Sequence, residues 1–270
     1  MKFLLLISLF LSSFQLSAQF ITTWKTTTAG ESITIPTSPT ETYSYTVDWG
    51  DGNTTTGEVG DATHIYATAG DHTVKITNLF PRIYFANGGD KDKIIAINQW
   101  GTNPWTSMYQ SFFGCSKLAG QASDTPNLVG VTNLDHMFNW ATSFNQDINN
   151  WDVSTITSMN SMFSSASSFT SNLDNWDTGE VSDMTHMFNG ATKFNGNIST
   201  WDVRKVETMH YMFNNATDFD GAIGAWKTDV LEGMSGMFYN AKAFNKYIGE
   251  WDVSRVTDMV DVGGVPIKSW

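Results

Sequence analysis

Residues 184–208 read MTHMFNGATKFNGNISTWDVRKVET, and this 25-residue stretch decides the fold because close copies of it precede and follow it. The clearest marker is a tryptophan that returns every 25 residues: Trp151, Trp176, Trp201, Trp226 and Trp251. Phenylalanine recurs with the same step: Phe138, Phe163, Phe188, Phe213 and Phe238. A fixed period of this length is typical of repeat proteins, in which each unit packs only on its neighbours. The second half of the chain is therefore predicted to be a stack of similar coils.

The apolar residues that open each copy have the spacing of one face of a short helix. In one copy they are Met184, Met187, Phe188, Ala191 and Phe194. Asn and Gly residues then interrupt the pattern, and Ile198, Trp201 and Val203 return as an extended segment. This predicts an α+β repeat solenoid with one short helix and one short strand per coil. A stripe of Met and aromatic residues also suits a ligand groove, but recurrence in every copy favours a buried core.

Residues 19–100 have a different pattern, in which short segments rich in Thr, Ile, Val and Tyr alternate with Gly, Pro, Asn and Asp. The clearest segments are residues 43–47 and 73–76. Alternation with a period of two favours antiparallel strands. Residues 48–53 contain two glycines and three Asx residues, which predicts a tight hairpin turn after the first segment. We therefore expect a small all-β unit ahead of the repeats.

Asp48 and Asp51 lie in this predicted turn, where they either cap the backbone or hold a Ca²⁺ ion through their carboxylate oxygens. Their spacing is not that of an EF-hand loop, which favours capping. The motif VDWGDG, followed by THIY at 63–66 and GDHTV at 70–74, resembles the PKD domain. The resemblance implies a β-sandwich with an immunoglobulin-like outline that acts as an extracellular spacer or contact module. His64 and Tyr66 are then expected to be packing and hydrogen-bonding residues.

Polar residues also recur with the 25-residue step. An aspartate follows the repeated tryptophan at Asp152, Asp177, Asp202 and Asp252, and Lys227 stands in its place in the remaining copy. Stacked like charges are costly unless each carboxylate accepts backbone N–H groups. Turn capping is therefore the main prediction, and a carboxylate ladder that holds cations is the alternative. A second polar column is predicted to be an asparagine ladder: Asn145, Asn195 and Asn245.

The pattern M-x-x-M-F-x-x-A-x-x-F, followed by N-x-x-I-x-x-W-D-V-S-x-V-T-x-M, extends over residues 108–259. It resembles the BspA-type leucine-rich-repeat surface proteins, which are known also from mycoplasma lipoproteins. The resemblance implies a leucine-rich-repeat-like solenoid at a bacterial surface and adhesion to host or matrix proteins. Met, Phe and Trp occupy most of the positions that are leucine in an ordinary leucine-rich repeat, so no particular partner carries over.

The first 18 residues have the charged start, the apolar run and the small-residue end of a secretory signal peptide, with cleavage expected after Ala18. A secreted or surface-displayed bacterial protein is therefore expected. No later run reaches the roughly 20 apolar residues of a transmembrane helix, so no membrane insertion is expected. A formal net charge of -12 argues against nucleic acid as a partner. The single cysteine, Cys115, excludes an internal disulfide and matches a column of small alanines, as a packed thiol would.

The sequence contains no H-E-x-x-H, G-x-S-x-G or phosphate-loop motif. His136 and His186 share one repeat position, which favours solvent-facing helix positions over a metal site. Cys115 has no evident histidine partner. We therefore predict no enzymatic activity, no cofactor and no metal site beyond the calcium alternative at Asp48 and Asp51.

These patterns divide the chain into a signal peptide (1–18), a PKD-like sandwich (19–100), a repeat solenoid (101–259) and an off-register tail (260–270), which we expect to be a truncated or frame-shifted coil. The predicted function is a monomeric, non-catalytic adhesion scaffold that binds an extracellular protein. A glycan-binding module and a structural spacer of a larger surface protein are the alternatives. The binding residues are unknown from the sequence, because Tyr211, Tyr239 and Tyr247 are too scattered to indicate an aromatic column.

Overall fold

A computed structural model describes residues 19–263. The expected signal peptide at 1–18 and residues 264–270 of the expected tail lie outside the described residues. Regular structure within 19–263 consists of eight strands: β1 (Phe20–Thr26), β2 (Ser32–Ile35), β3 (Ser44–Asp48), β4 (Thr54–Glu58), β5 (Ala62–Ile65), β6 (Gly70–Leu79), β7 (Ile94–Gln99) and β8 (Ala119–Gly120). Over the same residues, no helix has the length and apolarity needed to cross a membrane.

Six strands form one sheet in the order β4-β3-β6-β1-β7-β8, and β2 pairs with β5 in a second sheet. All pairs are antiparallel except β7 with β8. Both segments predicted as strands are present, since β3 and β6 pair with Val47 opposite Ile76. These two residues are fully buried, as are Tyr45 and Val74 two places away on the same strands. The alternation of the sequence thus places one face of the sheet in the core.

The predicted helix in each coil is wrong, because residues 19–263 contain no α-helix and the fold is not the expected α+β solenoid. The backbone bonds of one coil show what replaces it. The Met187 N–H donates to the Met184 carbonyl three residues earlier at 3.2 Å, which closes a turn. The Phe188 N–H instead donates to the Met212 carbonyl in the next coil at 2.9 Å. An α-helix would keep both bonds within the segment.

Left-handed residues explain why these turns cannot merge into a helix. His186 has a φ of 56° and Gly190 a φ of 71°, so the chain direction changes twice within one supposed helical face. The same conformation recurs at the equivalent positions: His136, Ser161, Tyr211, Gly236 and Asp261. Two successive four-residue turns bury positions i, i+3, i+4 and i+7, as a helix does. The apolar spacing alone therefore could not distinguish the two structures.

The predicted short strand of each coil is wrong as well. The Trp201 N–H donates to the Ile198 carbonyl at 3.2 Å and the Val206 N–H to the Val203 carbonyl at 3.0 Å, so this segment also consists of turns. Strand pairing between coils is reduced to single parallel bridges, which join Asn133, Ser158, Asp183, Thr208, Gly233 and Asp258 in series. The coils are nevertheless joined by a regular series of backbone hydrogen bonds, in which every second N–H of the turn segment donates to a carbonyl of the next coil. In one coil these donors are Met184, His186, Phe188 and Gly190, with N···O distances of 2.7–3.0 Å.

The predicted core is confirmed. Rings of the first phenylalanine column stack from coil to coil with centroids 5.7–5.9 Å apart. The tryptophan column repeats this at 5.9–6.2 Å from Trp176 onward. Each of these indole N–H groups donates to a carbonyl of the preceding coil, as Trp201 does to Leu173 at 2.8 Å. Cys115 is fully buried, and this burial raises the pKa of its thiol well above the usual value. Such a packed thiol is unreactive.

The sheet and the coils share one apolar core. Trp100 follows β7, and its ring packs edge-on against Trp151 of the coils with centroids 5.4 Å apart. Arg82 joins the two regions from another side, because its guanidinium lies over the Tyr84 ring and donates to the Tyr109 carbonyl at 2.7 Å. The expected domain boundary between residues 100 and 101 stays a prediction.

The coil bonding continues beyond the expected end of the array at residue 259. Gly236 N–H donates to the Val260 carbonyl at 2.8 Å, and Phe238 N–H donates to the Val262 carbonyl at 3.1 Å. Asp261 has the left-handed φ of its column, 53°, and Val262 is buried. Residues 260–262 therefore have the backbone path of the preceding coils, although their side chains differ.

Candidate functional site

The aspartates that follow the repeated tryptophans cap turns, as predicted. In each case Oδ1 accepts the backbone N–H two residues later at 2.9–3.1 Å, and the residues are Asp152, Asp177, Asp202 and Asp252. Hydrogen bonds from the Ser154 hydroxyl and backbone lower the pKa of Asp152. Within residues 19–263 no group of three or more His, Cys, Asp or Glu side chains is arranged to hold a metal ion. Capping is common to all four carboxylates, and Asp202 is in addition held by the Arg204 guanidinium.

Asp48 and Asp51 lie in the turn between β3 and β4. Their Oδ1 atoms each accept a backbone N–H two residues later at 3.0 Å, from Gly50 and Asn53. The second Asp51 oxygen lies 2.7 Å from His64 Nε2. Burial raises the pKa of Asp51, but the hydrogen bonds from His64 and Asn53 outweigh it and lower the pKa to about 2. Both carboxylates are thus engaged by protein donors, and calcium binding stays a prediction.

The asparagine ladder runs between coils on an exposed surface. Oδ1 of Asn145 accepts the backbone N–H of Thr170, and Oδ1 of Asn195 accepts that of Asp220, both at 2.9 Å. Asp220 continues the series by accepting the backbone N–H of Asn245 at 3.2 Å. Each side chain therefore satisfies a backbone donor one coil further on, which fixes the register of the stack.

Another surface of the coils changes from coil to coil. It consists of the first left-handed residue of each coil together with the residues three and four places after it, and we call it the turn face. The residue four places after it is left-handed as well. The left-handed column is His136, Ser161, His186, Tyr211, Gly236 and Asp261. The next column is Asn139, Ser164, Asn189, Asn214 and Tyr239, and the last is Trp140, Ser165, Gly190, Asn215 and Asn240. None of these columns keeps one residue type, whereas the buried phenylalanine column is invariant.

The two histidines of this face are only half-buried, and burial lowers the pKa of both. His136 Nδ1 lies 2.9 Å from the Asn139 amide nitrogen, and His186 Nδ1 lies 3.2 Å from that of Asn189. Each ring is therefore held by the asparagine three residues later. The repeat position that they share belongs to the turn face, not to a cluster of metal ligands.

Large exposed aromatic side chains concentrate on the turn face. The exposed fraction is 59% for Trp140, 52% for Tyr239 and 40% for Tyr211. Tyr247 is also 52% exposed but occupies a repeat position outside the turn face. Tyr211 and Tyr239 look scattered in the sequence because they are separated by one repeat plus three residues. Each turn brings residues three apart together, so they become neighbours on adjacent coils.

Tyr211 and Tyr239 line an open cleft of about 230 Å³ on the turn face. The other lining residues are Asn214, Gly236, Val260 and Asp261. The Tyr211 ring stacks on His186 with centroids 4.9 Å apart and planes 5° from parallel. The opposite side of the ring lies against Gly236, where any side chain would overlap it. This cleft was not predicted from the sequence, although the repeat register contained the signal.

A second open cleft, of about 420 Å³, lies beside the capping aspartates and is lined by Gly179, Glu180, Asp202, Arg204 and Lys205. Its charged groups neutralise one another. Arg204 pairs with Asp202 at 2.5 Å, and Lys205 pairs with Glu180 at 2.6 Å. A ligand would have to displace these pairs, so the turn face is the stronger candidate for a binding site.

A family model described as Mycoplasma protein of unknown function, DUF285, matches the chain over residues 84–185, 106–225 and 169–263. The three matches overlap, as a repeated sequence predicts, and together they extend over two thirds of the chain. The chain belongs to this family. The comparison with curated proteins and the comparison with solved structures return no match.

Proposed function

We propose that this member of the mycoplasma family is a non-catalytic adhesion scaffold that is displayed outside the cell and binds an extracellular protein through its turn face. The main observation behind this proposal is the contrast between the buried phenylalanine column and the columns of the turn face. The buried phenylalanine column is identical in the five coils from Phe138 to Phe238, whereas no column of the turn face keeps one residue type over the same coils. A repeated frame with a variable surface is the arrangement that recognition by a repeat protein requires.

The composition of the turn face supports this proposal. Tyrosine and tryptophan are enriched in the core of protein interfaces, where a few such side chains provide most of the binding energy. Trp140, Tyr211 and Tyr239 are exposed there without filling any core position. Asparagine and serine occupy most of the remaining turn-face positions. Asn139, Ser161 and Ser164 are buried, and the others are at least partly exposed and can form hydrogen bonds with a partner.

The resemblance of the coils and of residues 19–100 to particular protein families is also part of the proposal. The coils are related to BspA-type surface proteins by their Met, Phe and Trp motif, and residues 19–100 form a PKD-like module ahead of them. The β3–β4 turn supports this module, because the Tyr66 hydroxyl donates to the Trp49 carbonyl at 2.8 Å and so links the WGDG and THIY motifs. The module serves as a spacer or contact unit, and the sequence of residues 1–18 directs the chain to the outside of the cell.

Substitutions taken from other coils test the proposal with little risk to the fold. Ser161 and Ser165 stand in the columns of Tyr211 and Trp140, so Trp140→Ser and Tyr211→Ser introduce residues that these columns already contain. Binding of the purified chain to immobilised fibronectin, laminin and collagen is measured by surface plasmon resonance. The double variant is expected to bind at least about tenfold more weakly, because each lost interface anchor is worth on the order of 1–2 kcal/mol.

Tyr247→Asn is the matched control. Tyr247 is as exposed as Tyr239 but lies outside the turn face, and its column already contains Asn172 and Asn197. This variant is expected to bind as the parent chain does. Equal binding by the turn-face variant would overturn the proposal, and absence of binding to every immobilised protein would favour the spacer alternative.

A further inference from the structure

We propose that the cleft between Tyr211 and Tyr239 is a sugar-binding site that accepts one neutral hexopyranose ring. This inference rests on the proposed function in one respect, because it takes the turn face as the contact surface of the chain. It goes beyond that function by naming the chemistry of one part of the partner, a glycan. The two aromatic walls of the cleft differ in how much of each ring is available to a ligand.

Tyr211 is a fixed wall. One side of its ring stacks on His186 at 4.9 Å, and the other side lies against the backbone of Gly236. Because both sides are covered, the ring cannot rotate freely and offers a partner mainly its edge and its hydroxyl group. Gly236 has a φ of 65° and no side chain, so it forms the floor between the two columns. A cleft exists here because this coil has glycine where others have a bulky residue.

Tyr239 is the open wall. It is 52% exposed, and no aromatic ring within residues 19–263 stacks on it. The face of an aromatic ring carries partial negative charge. The axial C–H groups of a pyranose are weakly positive, so they pack well on such a face and leave the sugar hydroxyls at the rim. Tyr239 is therefore the platform of the proposed site.

Polar groups at the rim match the hydroxyls of a sugar. The Asn214 amide is bonded on its oxygen side by Asn215, which leaves its two N–H donors for a ligand. The Asp261 carboxylate lines the same cleft and accepts hydrogen bonds. An amide and a carboxylate around an aromatic platform can satisfy a donor and an acceptor on neighbouring ring hydroxyls. Val260, which is 71% exposed, adds apolar surface suited to the methyl group of an N-acetylated sugar.

The size and charge of the cleft restrict the class of sugar further. The cleft of about 230 Å³ is smaller than the roughly 300–1,000 Å³ of sites for drug-sized ligands, so it suits a single ring. None of its six lining residues is Lys, Arg or His, and the chain carries a net charge of -12. Sialic acids, uronic acids and sulfated sugars would meet repulsion from Asp261 without a compensating cation. Neutral hexoses and N-acetylhexosamines are the expected class.

Saturation-transfer NMR and titration calorimetry with free oligosaccharides test the site. Neutral oligosaccharides ending in hexose or N-acetylhexosamine are expected to bind the parent chain, and their sialylated forms are expected to bind at least about tenfold more weakly. The key variant is Tyr239→Asn, which introduces the residue found at Asn189 and Asn214 in the same column. It should weaken binding of the neutral sugar at least about tenfold. Circular dichroism and thermal melting establish that each variant is folded.

Tyr247→Asn is the control here too, because it removes an equally exposed tyrosine outside the cleft. Unchanged sugar binding by Tyr239→Asn, or absence of binding by every neutral oligosaccharide, would overturn the inference. A second arm compares a glycoprotein before and after enzymatic removal of its glycans, which distinguishes a protein-borne sugar from a free one. Loss of sugar binding in Tyr239→Asn supports the site whether the chain prefers a free sugar or a sugar attached to a protein.

The two proposals can fail separately. If no neutral oligosaccharide binds, or if Tyr239→Asn binds them unchanged, while Trp140→Ser with Tyr211→Ser weakens binding of matrix proteins, the sugar site is overturned and the adhesion function stands. If neutral sugars bind through Tyr239 while no matrix protein is affected by those two substitutions, the protein-binding function is overturned and the sugar site stands.

Discussion

Single residues act in this chain mainly through the conformations that they permit. Gly50 and Gly52 belong to the same turn between β3 and β4, and both are left-handed, with φ of 78° and 93°. They differ in their surroundings. A Cβ on Gly50 would overlap the Thr73 carbonyl oxygen of β6, whereas a Cβ on Gly52 would meet open space. The WGDG motif therefore contains one glycine needed for close approach and one needed only for backbone conformation.

This difference predicts unequal costs for the same substitution. Gly52→Ala should lower the free energy of unfolding by about 1–2 kcal/mol, because only left-handed strain is added. Gly50→Ala should lower it by roughly 3 kcal/mol or more, since overlap with β6 adds about 1–3 kcal/mol to that strain. Urea denaturation of both variants measures the difference. Equal losses would mean that β6 moves away without cost.

At the scale of one coil, the core was predictable and the backbone was not. The spacing of apolar residues identified the buried Met, Phe and Ala positions, because two consecutive turns bury the same sequence positions as a helix does. The residues that decide between the two are Gly190 and Gly236, which stand inside the supposed helical segment and are left-handed. Non-glycine residues such as His186 adopt the same conformation, which no propensity rule predicts. Bonds to the next coil enforce it.

A different reason explains why the site was not predicted. Equivalent positions were compared within one column at a time, whereas Tyr211 and Tyr239 belong to neighbouring columns. A helix and a turn both bring residues three apart together, so the repeat register combined with this spacing already contained the contact. Once the left-handed column is known, the sequence alone gives the order of side chains along the turn face.

The indole hydrogen bond between coils gives a prediction at this scale. In Trp201→Phe, an aromatic ring remains in the column, but the 2.8 Å bond to the Leu173 carbonyl is lost. The Leu173 carbonyl keeps the Trp176 N–H at 3.2 Å as a donor but loses the indole. The loss of one hydrogen bond costs about 0.5–1.5 kcal/mol, to which the smaller ring adds lost packing. We expect the free energy of unfolding to fall by at least about 1 kcal/mol in guanidinium denaturation. No loss would indicate that another donor or water reaches the carbonyl.

The whole molecule is organised around one uninterrupted core. Trp100 connects its two parts, because its ring packs on Phe20 of β1 at 5.8 Å and on Trp151 of the coils at 5.4 Å. β8 extends this connection by pairing in parallel with β7. The sheet and the coils should therefore stabilise each other, even though their sequences follow different periods.

Trp100→Ala tests this coupling. The substitution opens a cavity between the two parts and should cost about 3–5 kcal/mol. Hydrogen exchange followed by mass spectrometry is expected to show faster exchange both in β1 and in the coil around Trp151. Faster exchange in β1 alone would show instead that the sheet and the coils are independent and would support a boundary after residue 100.

Because the repeat length is constant, the distance between two turn-face residues along the stack is set by the number of coils between them. Trp140 and Tyr239 lie four coils apart, and equivalent phenylalanine rings in consecutive coils have centroids 5.7 Å apart, so the two positions are at most about 23 Å apart along the stack. A gene duplication that inserts one 25-residue unit between Trp140 and Tyr239 would increase the distance between them by the length of one coil. It would leave the surroundings of each side chain unchanged. The chain can thus be tuned to partners of different size by counting coils, without redesign of any of them.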